Sequence, residues 1–314
     1  MKQLLQNLRD GKAEVVDVPV PVVKPGYVLV RNLSSVVSAG TERMVVSFAE
    51  KSLVGKAQSR PDLMKQVMDK AKREGIVPTI QSAFNRLDQP MALGYSSAGI
   101  VEEVGEGVKD FHRGMRVACA GGGFATHSEY ILVPKNLLVP FDESIQFEEA
   151  AFATLGAISL QGFRLAAPQV GEKIAIIGLG LLGLLMVGIA KAAGCAVFGI
   201  DLDKKRVDLA KELGATAVIR SNSESQAQLF TNNKGFDAVF ICADTKSNDP
   251  VDLAGIIARD KGVVVAVGAV GLEIPRKLYY EKELSFLISR SYGPGRYDNL
   301  YEEAGQDYPF SYVR

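Results

Sequence analysis

Apolar positions along the chain change rhythm near residue 172. Before it, valines and leucines fall in short runs broken by proline and glycine: AEVVDVPVPVV from Ala13, a Pro25-Gly26 turn, then YVLVRNLSSVV from Tyr27. β-Branched runs between turn residues predict strands. Pro19, Pro21 and Pro25 place part of this stretch at a sheet edge. Residues 97–139 repeat the pattern, with SAGIVEEV, a Gly-Glu-Gly turn at 105–107, MRVACAGGG and SEYILVP. Between the two lies an insertion, 43–90. In it PDLMKQVMDKAKREG opens on Pro61, carries apolar residues at 63, 64, 67 and 68, and stops at Gly75, which predicts a surface helix.

From Lys173 the pattern alternates between apolar runs and amphipathic stretches. KIAIIG, CAVFGID, TAVIR, FDAVFICA, GVVVAVGAVG and LSFLISRSYG read as strands; LLGLLMVGIAKAAG and DKKRVDLAKELG read as helices. Strands apolar on both faces, with helices between them, predict a parallel doubly wound sheet. The longest apolar run, 174–190, has 17 residues, contains four glycines and is bracketed by Lys173 and Lys191. A membrane span needs about 20 residues, so a strand, a turn and a helix fit it better. The first ten residues lack the apolar core of a signal peptide, so a cytoplasmic location is expected.

The 314 residues suggest two domains. Lys+Arg and Asp+Glu both number 36, so no net field draws in nucleic acid or anionic lipid. The three cysteines include no CxxC pair, and there are only two histidines, which argues against a thiolate metal cage or a disulfide framework. Cys119, Cys195 and Cys242 sit in apolar strands and read as small hydrophobes.

Gly178-Leu179-Gly180-Leu181-Leu182-Gly183 matches G-x-G-x-x-G where a strand closes and a helix opens, the context a dinucleotide site requires. Gly178 makes the turn, Gly180 lets a pyrophosphate approach the backbone, and Gly183 lets helix and strand pack closely. The free N–H groups of the helix start face the phosphates. Asp201 follows Gly183 by 18 residues, at the end of the second strand, and can bind a ribose diol. A carboxylate there repels a 2′-phosphate, so NAD is expected over NADP. Lys205 and Arg206 can each reach a phosphate, and Arg206 joins the expected cofactor set. Asp203 can cap the following helix. Gly268 and Ala269 end a later strand, where a nicotinamide would lie.

The strand-rich first part, GIVEEVGEGVKDFHRGMRV at 99–117 and GLGLLG together resemble the medium-chain dehydrogenase/reductase family, which includes the zinc alcohol and sorbitol dehydrogenases. The resemblance covers nearly the whole chain. It implies an α/β protein with a GroES-like β-rich catalytic domain, a Rossmann doubly wound parallel sheet and an active site in the cleft between them. The domains are expected at 1–140, with the helical insertion 43–90, and at 141–290, with 291–314 returning to the first. SAGTERMVVSF at 38–48, LGYSSAG at 93–99, TLGAISLQG at 154–162 and SYGPGRYDNLYEEAGQDYP at 291–309 resemble one branch more closely. This is the N-terminal half of bacterial bi-domain oxidoreductases of polysaccharide gene clusters, in which a Gfo/Idh/MocA-like half follows. Because the chain stops at Arg314, a fragment or a shortened homologue is expected.

The resemblance fails at the metal. Zinc members carry a cysteine before Gly-Thr/Ser-Asp; here Ser38-Ala39-Gly40-Thr41-Glu42 stands there. They carry Gly-His-Glu at the next strand; here it is Gly94-Tyr95-Ser96. The four-cysteine structural lobe is also missing. Zinc needs about three ligands of Cys, His or carboxylate type, so no zinc is expected. Without it a side chain must take the alcohol's proton. The resemblance makes Thr41 a relay hydroxyl and puts Tyr95 at the lost histidine's position, where a packed aromatic role is the competing reading. Glu42 is expected to hold Arg43 or a backbone amide, and His127 to be structural or exposed. The tyrosines from Tyr292 to Tyr312 fit a sugar site, an interface or a disordered end equally well.

The function implied is a zinc-independent, NAD-dependent oxidoreductase of a secondary alcohol, the sugar-derived character of which rests on family analogy. An NADPH-dependent quinone/enone reductase is an alternative that Asp201 opposes. A non-catalytic cofactor-binding half of a bi-domain oxidoreductase is another. Family members also suggest a homodimer through 262–271 and 284–290.

Overall fold

The computed structural model describes residues 1–7, 11–38, 40, 42 and 90–308. Thr41, the insertion helix and Tyr312 lie outside the described residues. The chain forms two compact units, 1–154 with 298–308, and 155–297.

The first unit holds β1 (Lys2–Gln6), β2 (Ala13–Asp17), β3 (Tyr27–Ser35), β4 (Met91–Ala92), β5 (Ser96–Val104), β6 (Arg116–Ala120), β7 (Tyr130–Pro134), β8 (Leu138–Pro140) and a short helix α1 (Phe147–Ala150). The strands form two antiparallel sheets, β2-β1-β4 and β7-β3-β5-β6-β8. Val28, Val30, Ala98, Val101, Val117 and Val133 supply its buried core. β1 was not foreseen as a strand. Its backbone is held from both sides, by β2 along its whole length and by β4 at Leu5 and Gln6. The VPVPVV segment is not a strand, because Pro19 and Pro21 offer no N–H to a ladder. The unit runs past the expected residue 140 to Thr154. The buried Ser96 hydroxyl donates to the Ala151 carbonyl at 2.5 Å, and Thr154 donates to the Cys119 carbonyl at 3.3 Å. Both bonds tie 151–154 to β5 and β6.

The second unit alternates helix and strand: α2 (Ala153–Ala166, its first two residues in the first unit), β9 (Lys173–Ile177), α3 (Leu181–Ala192), β10 (Ala196–Asp201), α4 (Lys204–Glu212), β11 (Thr216–Ile219), α5 (Ser223–Thr231), β12 (Phe236–Ile241), α6 (Asp249–Ile257), β13 (Ala258–Ala266), α7 (Arg276–Glu281) and β14 (Ser285–Ile288). The sheet is parallel throughout, in the order β11-β10-β9-β12-β13-β14. The third, second and first strands are thus followed by the fourth, fifth and sixth. The order reverses between β9 and β12, and ligands of open α/β sheets bind at such a switch point, beyond the strands' carboxyl ends.

The central strand β9 explains the apolar run that resembled a membrane span. Ile174 and Ile176 enter a cluster with Phe163, Met186 and Val187. Ala175 and Ile177 enter a second cluster with Phe198, Val239 and Leu253. Alternate residues of a strand point to opposite faces, and here both faces are covered. Among the described residues no helix is long and apolar enough to cross a membrane.

After β14 the chain rejoins the first unit through α8 (Asn299–Glu302). The Asn136 amide donates to the Tyr301 carbonyl at 2.9 Å and the Tyr27 hydroxyl to the Glu303 carboxylate at 3.3 Å.

Candidate functional site

In the second unit the glycine motif turns the chain from β9 into α3. Gly178 has φ +94°, and a Cβ there would stand 2.6 Å from the Ala243 nitrogen. A Cβ on Gly183 would lie 1.9 Å from the Gly178 carbonyl oxygen. Gly180 faces open space, with the Arg206 guanidinium 4.0 Å from its would-be Cβ as the nearest atom. Gly180 also caps α3 without a side-chain bond. Leu181, Leu182 and Gly183 are the helix's first residues, whose N–H groups have no intrahelical acceptor. Leu179 between the glycines is fully buried.

Asp201 ends β10, 9% exposed. One of its oxygens accepts the Leu179 N–H at 2.6 Å, and the other accepts the Asp203 N–H at 2.8 Å. Each carboxylate oxygen has a second lone pair, which leaves acceptors for a diol. Asp203 caps α4, accepting the Lys205 N–H at 2.8 Å. Arg206 reaches back from α4 to within 3.7 Å of Asp201 and 3.9 Å of Asp203. Gly268 and Ala269 follow β13 at the same carboxyl edge. A Cβ on Gly268 would meet the Ala243 carbonyl at 2.1 Å, and the Ala269 carbonyl accepts the Thr245 N–H at 2.8 Å. The loops after β12 and β13 are therefore joined.

The first unit carries the remaining candidates. Tyr95 is half-buried at the bend before β5, and its carbonyl accepts the Gly121 N–H at 3.0 Å. Among the described residues its hydroxyl has no hydrogen-bond partner. Ser38 is buried and donates its N–H to Glu42 at 3.0 Å. Glu42 thus holds a backbone amide, but it does more. His127 Nε2 lies 3.2 and 3.3 Å from its two carboxylate oxygens, and His127 Nδ1 lies 2.8 Å from the Ser35 hydroxyl. The paired side chains are 9% and 11% exposed. This Ser35–His127–Glu42 series, buried at its imidazole and carboxylate, is the feature that sequence reasoning missed. Its carboxylate and imidazole are 85 residues apart, and no local pattern signals the pairing.

The thiols are electrically silent: burial pushes both Cys119 and Cys242 up to about 12. Among the described residues no three His, Cys, Asp or Glu side chains gather as a metal site would require. In the tyrosine-rich tail, Tyr297 lies 4.0 Å from the Arg290 guanidinium carbon and 3.9 Å from that of Arg296, while Tyr301 stacks on Tyr308 at 5.2 Å.

Two family models match the chain: the alcohol dehydrogenase GroES-like domain over residues 66–143 and the zinc-binding dehydrogenase over 182–305. D-xylulose reductase of Saccharomyces cerevisiae is 28% identical over 254 residues, 69% of this chain and 70% of the relative. (R,R)-butanediol dehydrogenase of Bacillus subtilis is 31% identical over 162 residues, 43% of this chain and 46% of the relative. The crystal structure of galactitol-1-phosphate dehydrogenase from Escherichia coli superposes with a TM-score of 0.72 at 22% identity, covering 93% of this chain and 83% of that one.

The two inner glycines separate a binding role from a packing role. Gly183→Ala must displace the Gly178 carbonyl, and overpacking of this kind costs about 1–3 kcal/mol. Gly180→Ala meets no atom closer than 4.0 Å. Denaturant unfolding without ligand should show the loss for Gly183→Ala and almost none for Gly180→Ala; equal stabilities would refute the packing geometry.

Proposed function

The chain belongs to the medium-chain dehydrogenase/reductase family, as an alcohol- or polyol-dehydrogenase-type oxidoreductase, and we propose that it moves hydride between a secondary alcohol and NAD without zinc. The observation that carries the cofactor assignment is Asp201, bonded to the glycine loop and retaining lone pairs for a ribose diol. When bound, NAD supplies the hydride acceptor. The chain's part is to hold it: Gly178, Gly180 and Gly183 shape the loop, the N–H groups of Leu181, Leu182 and Gly183 take the pyrophosphate, and Gly268 and Ala269 flank the nicotinamide end. Arg206, 3.7 Å from Asp201, would stand at the ribose end. The alternative of an NADPH-dependent quinone/enone reductase requires a 2′-phosphate beside the Asp201 carboxylate, which repels it.

The zinc-independent reading rests on the donors. Ser38 and Ser96 are hydroxyls, and the Ser96 hydroxyl is spent on the Ala151 carbonyl. Tyr95 is a phenol, and Glu42 is engaged by His127 and the Ser38 amide. That set does not fit a catalytic zinc. The proton of the alcohol then passes to hydroxyl groups of the chain, for which Tyr95 and Thr41 are the candidates. The unpartnered Tyr95 hydroxyl supports the assignment. The substrate is a small alcohol of the polyol or sugar-derived class, in line with the names of the relatives, and the reaction belongs in the cytoplasm, alone or beside a Gfo/Idh/MocA-like half. A homodimer is proposed through β14, the edge strand of its sheet, on which Ile288 is 59% exposed.

Calorimetric titration should give tighter binding of NAD(H) than of NADP(H), with Asp201→Ala weakening NAD and narrowing the gap. Equal or tighter NADP binding by the unaltered chain would sink the assignment. Tyr95→Phe should lower turnover by about 10²–10⁴-fold, the usual contribution of a positioned acid–base group, with NAD affinity nearly unchanged. Near-native turnover would leave Tyr95 as a packed aromatic. Dialysis against a chelator should leave turnover intact; loss restored by zinc would overturn the metal-free reading.

A further inference from the structure

Past the end of β14 the second unit makes a tight loop that carries Arg290, Tyr292, Arg296 and Tyr297. Ser289 still runs beside β13, donating its N–H to the Ala266 carbonyl at 2.9 Å, so Arg290 comes at the same carboxyl edge as Gly268 and Ala269. Two turns follow end to end. The Gly293 N–H donates to the Arg290 carbonyl at 3.1 Å, and the Arg296 N–H to the Gly293 carbonyl at 3.2 Å. Gly293 stands at their junction with φ +89°, and a Cβ there would lie 2.4 Å from the Gln161 side chain, so the loop rests directly on α2. The tandem turns fold Arg290 and Arg296 back toward one another.

Both guanidinium groups meet on one ring. Their carbons lie 4.0 and 3.9 Å from the centre of Tyr297, and that of Arg296 also lies 5.8 Å from the centre of Tyr292. Their separation is bounded by twice the ring distance, a span that one phosphate, accepting on opposite sides, can bridge. An aromatic ring takes up the face of a guanidinium, whereas bonds to an anion are made by its N–H edge. Tyr297 is 57% exposed, so burial of its ring does not account for the arrangement. Among the described residues Arg290 makes no salt bridge. Asp298, next after Tyr297, is taken by the Leu300 N–H and the Tyr308 hydroxyl.

The cofactor's own phosphates are not the anion that this loop meets. The proposed pyrophosphate site lies at the start of α3, beyond β9, and β14 is three strands from β9 in the sheet. At the usual strand spacing that is about 14 Å, beyond the reach of an arginine side chain. The nicotinamide end is proposed at β13, the strand next to β14, and what would lie beside it there is substrate.

We propose that Arg290 and Arg296 bind the phosphate group of a phosphorylated sugar or polyol, with Tyr297 as the spacer that holds the two guanidinium groups. The proposal rests on the dehydrogenase reading above, whose substrate class it narrows from a polyol to a polyol phosphate. A phosphate monoester carries a charge of about −1.5 to −2 near neutrality and three acceptor oxygens, which suits two cationic forks. A carboxylate would be satisfied by one.

The test titrates inorganic phosphate into the full chain saturated with NADH, so that the groups holding the cofactor are already filled, with acetate at equal ionic strength as the control. Phosphate should bind and acetate should not. Arg290→Gln should weaken phosphate about 10-fold or more. Arg290→Lys, which keeps the charge and loses the fork, should weaken it several-fold, while NADH affinity stays within about twofold in both variants. Arg296→Gln should act in the same direction. In turnover, kcat/KM for sorbitol 6-phosphate should exceed that for sorbitol at least about 10-fold, and the ratio should collapse in Arg290→Gln. Glucose 6-phosphate binding more tightly than UDP would identify a monoester, and the reverse order a nucleotide-linked sugar; either supports the site. Unchanged phosphate affinity in Arg290→Gln would overturn it, as would a loss that tracks falling thermal stability and NADH affinity. Arg290-dependent phosphate binding without turnover of any alcohol or its phosphate would instead sink the dehydrogenase reading and leave the anion site standing.

Discussion

The carbonyl oxygen of Gly178 leaves no room for a side chain at Gly183, 1.9 Å from where a Cβ would stand, and the second unit's ligand edge depends on that contact. The first turn of α3 can sit directly against the end of β9 only because residue 183 is a glycine, while Gly178 is required by its φ of +94° and by the Ala243 backbone beside it. With the helix that close, its first N–H groups are displayed at the carboxyl edge of the central strand. The loop is then held from the neighbouring strand by the Asp201 carboxylate, which takes the Leu179 N–H at 2.6 Å. One carboxylate therefore braces the loop and, on the proposed cofactor reading, marks the place for a ribose. A charge that is 9% exposed is costly unless hydrogen-bonded, and two backbone amides meet that cost whether or not a ligand is bound.

This arrangement was legible in the sequence because its determinants are local. A strand buried on both faces writes itself as an unbroken apolar run, as in KIAII, and the glycine spacing is contiguous with it. The N-cap role of Asp203 could be read the same way. The helices α2, α5, α6 and α7 were not read as such. α5, SESQAQLFT, is short and largely polar, with Ser223, Ala227 and Thr231 as its buried residues. α6 is short and mostly buried, and its solvent-facing positions Asp249, Asp252 and Ile256 include an isoleucine, which blurs the polar period. The strand β1 was missed for a different reason: KQLLQ is marginal alone and is fixed by pairing with β2 and β4.

The site in the first unit was legible only in what it lacks. The missing cysteine and the Gly94-Tyr95-Ser96 tripeptide are visible in the sequence, but what stands in their place is not. Glu42 and His127 are brought together by long-range packing, with the histidine placed by β1 and by the turn before β5. An imidazole arrives at this turn from a distant segment of the chain and lies on Gly94, next to Tyr95. Neither residue type nor spacing announces this, since the partners belong to segments with no sequence relation. Among the described residues this unit keeps a carboxylate and an imidazole in hydrogen-bond contact, and no third side chain of metal-binding type joins them.

The same logic of partnered charges governs the end of β10 in the second unit. Arg206 is half-exposed and stands 3.7 Å from Asp201, so the guanidinium offsets part of the carboxylate's charge. A free arginine at this distance would invite a phosphate. An arginine already paired with a carboxylate must weaken that pairing to take one, and the approaching phosphate meets the carboxylate's repulsion as well. Two amides hold Asp201 in place, so swinging away to relieve that repulsion would break both bonds. On the proposed NAD reading, discrimination between the two nicotinamide cofactors would reside less in the presence of Asp201 than in its fixed position. A carboxylate free to rotate would tolerate a 2′-phosphate with Arg206 as its partner, whereas one bonded to the glycine loop would keep its charge where the proposed ribose lies.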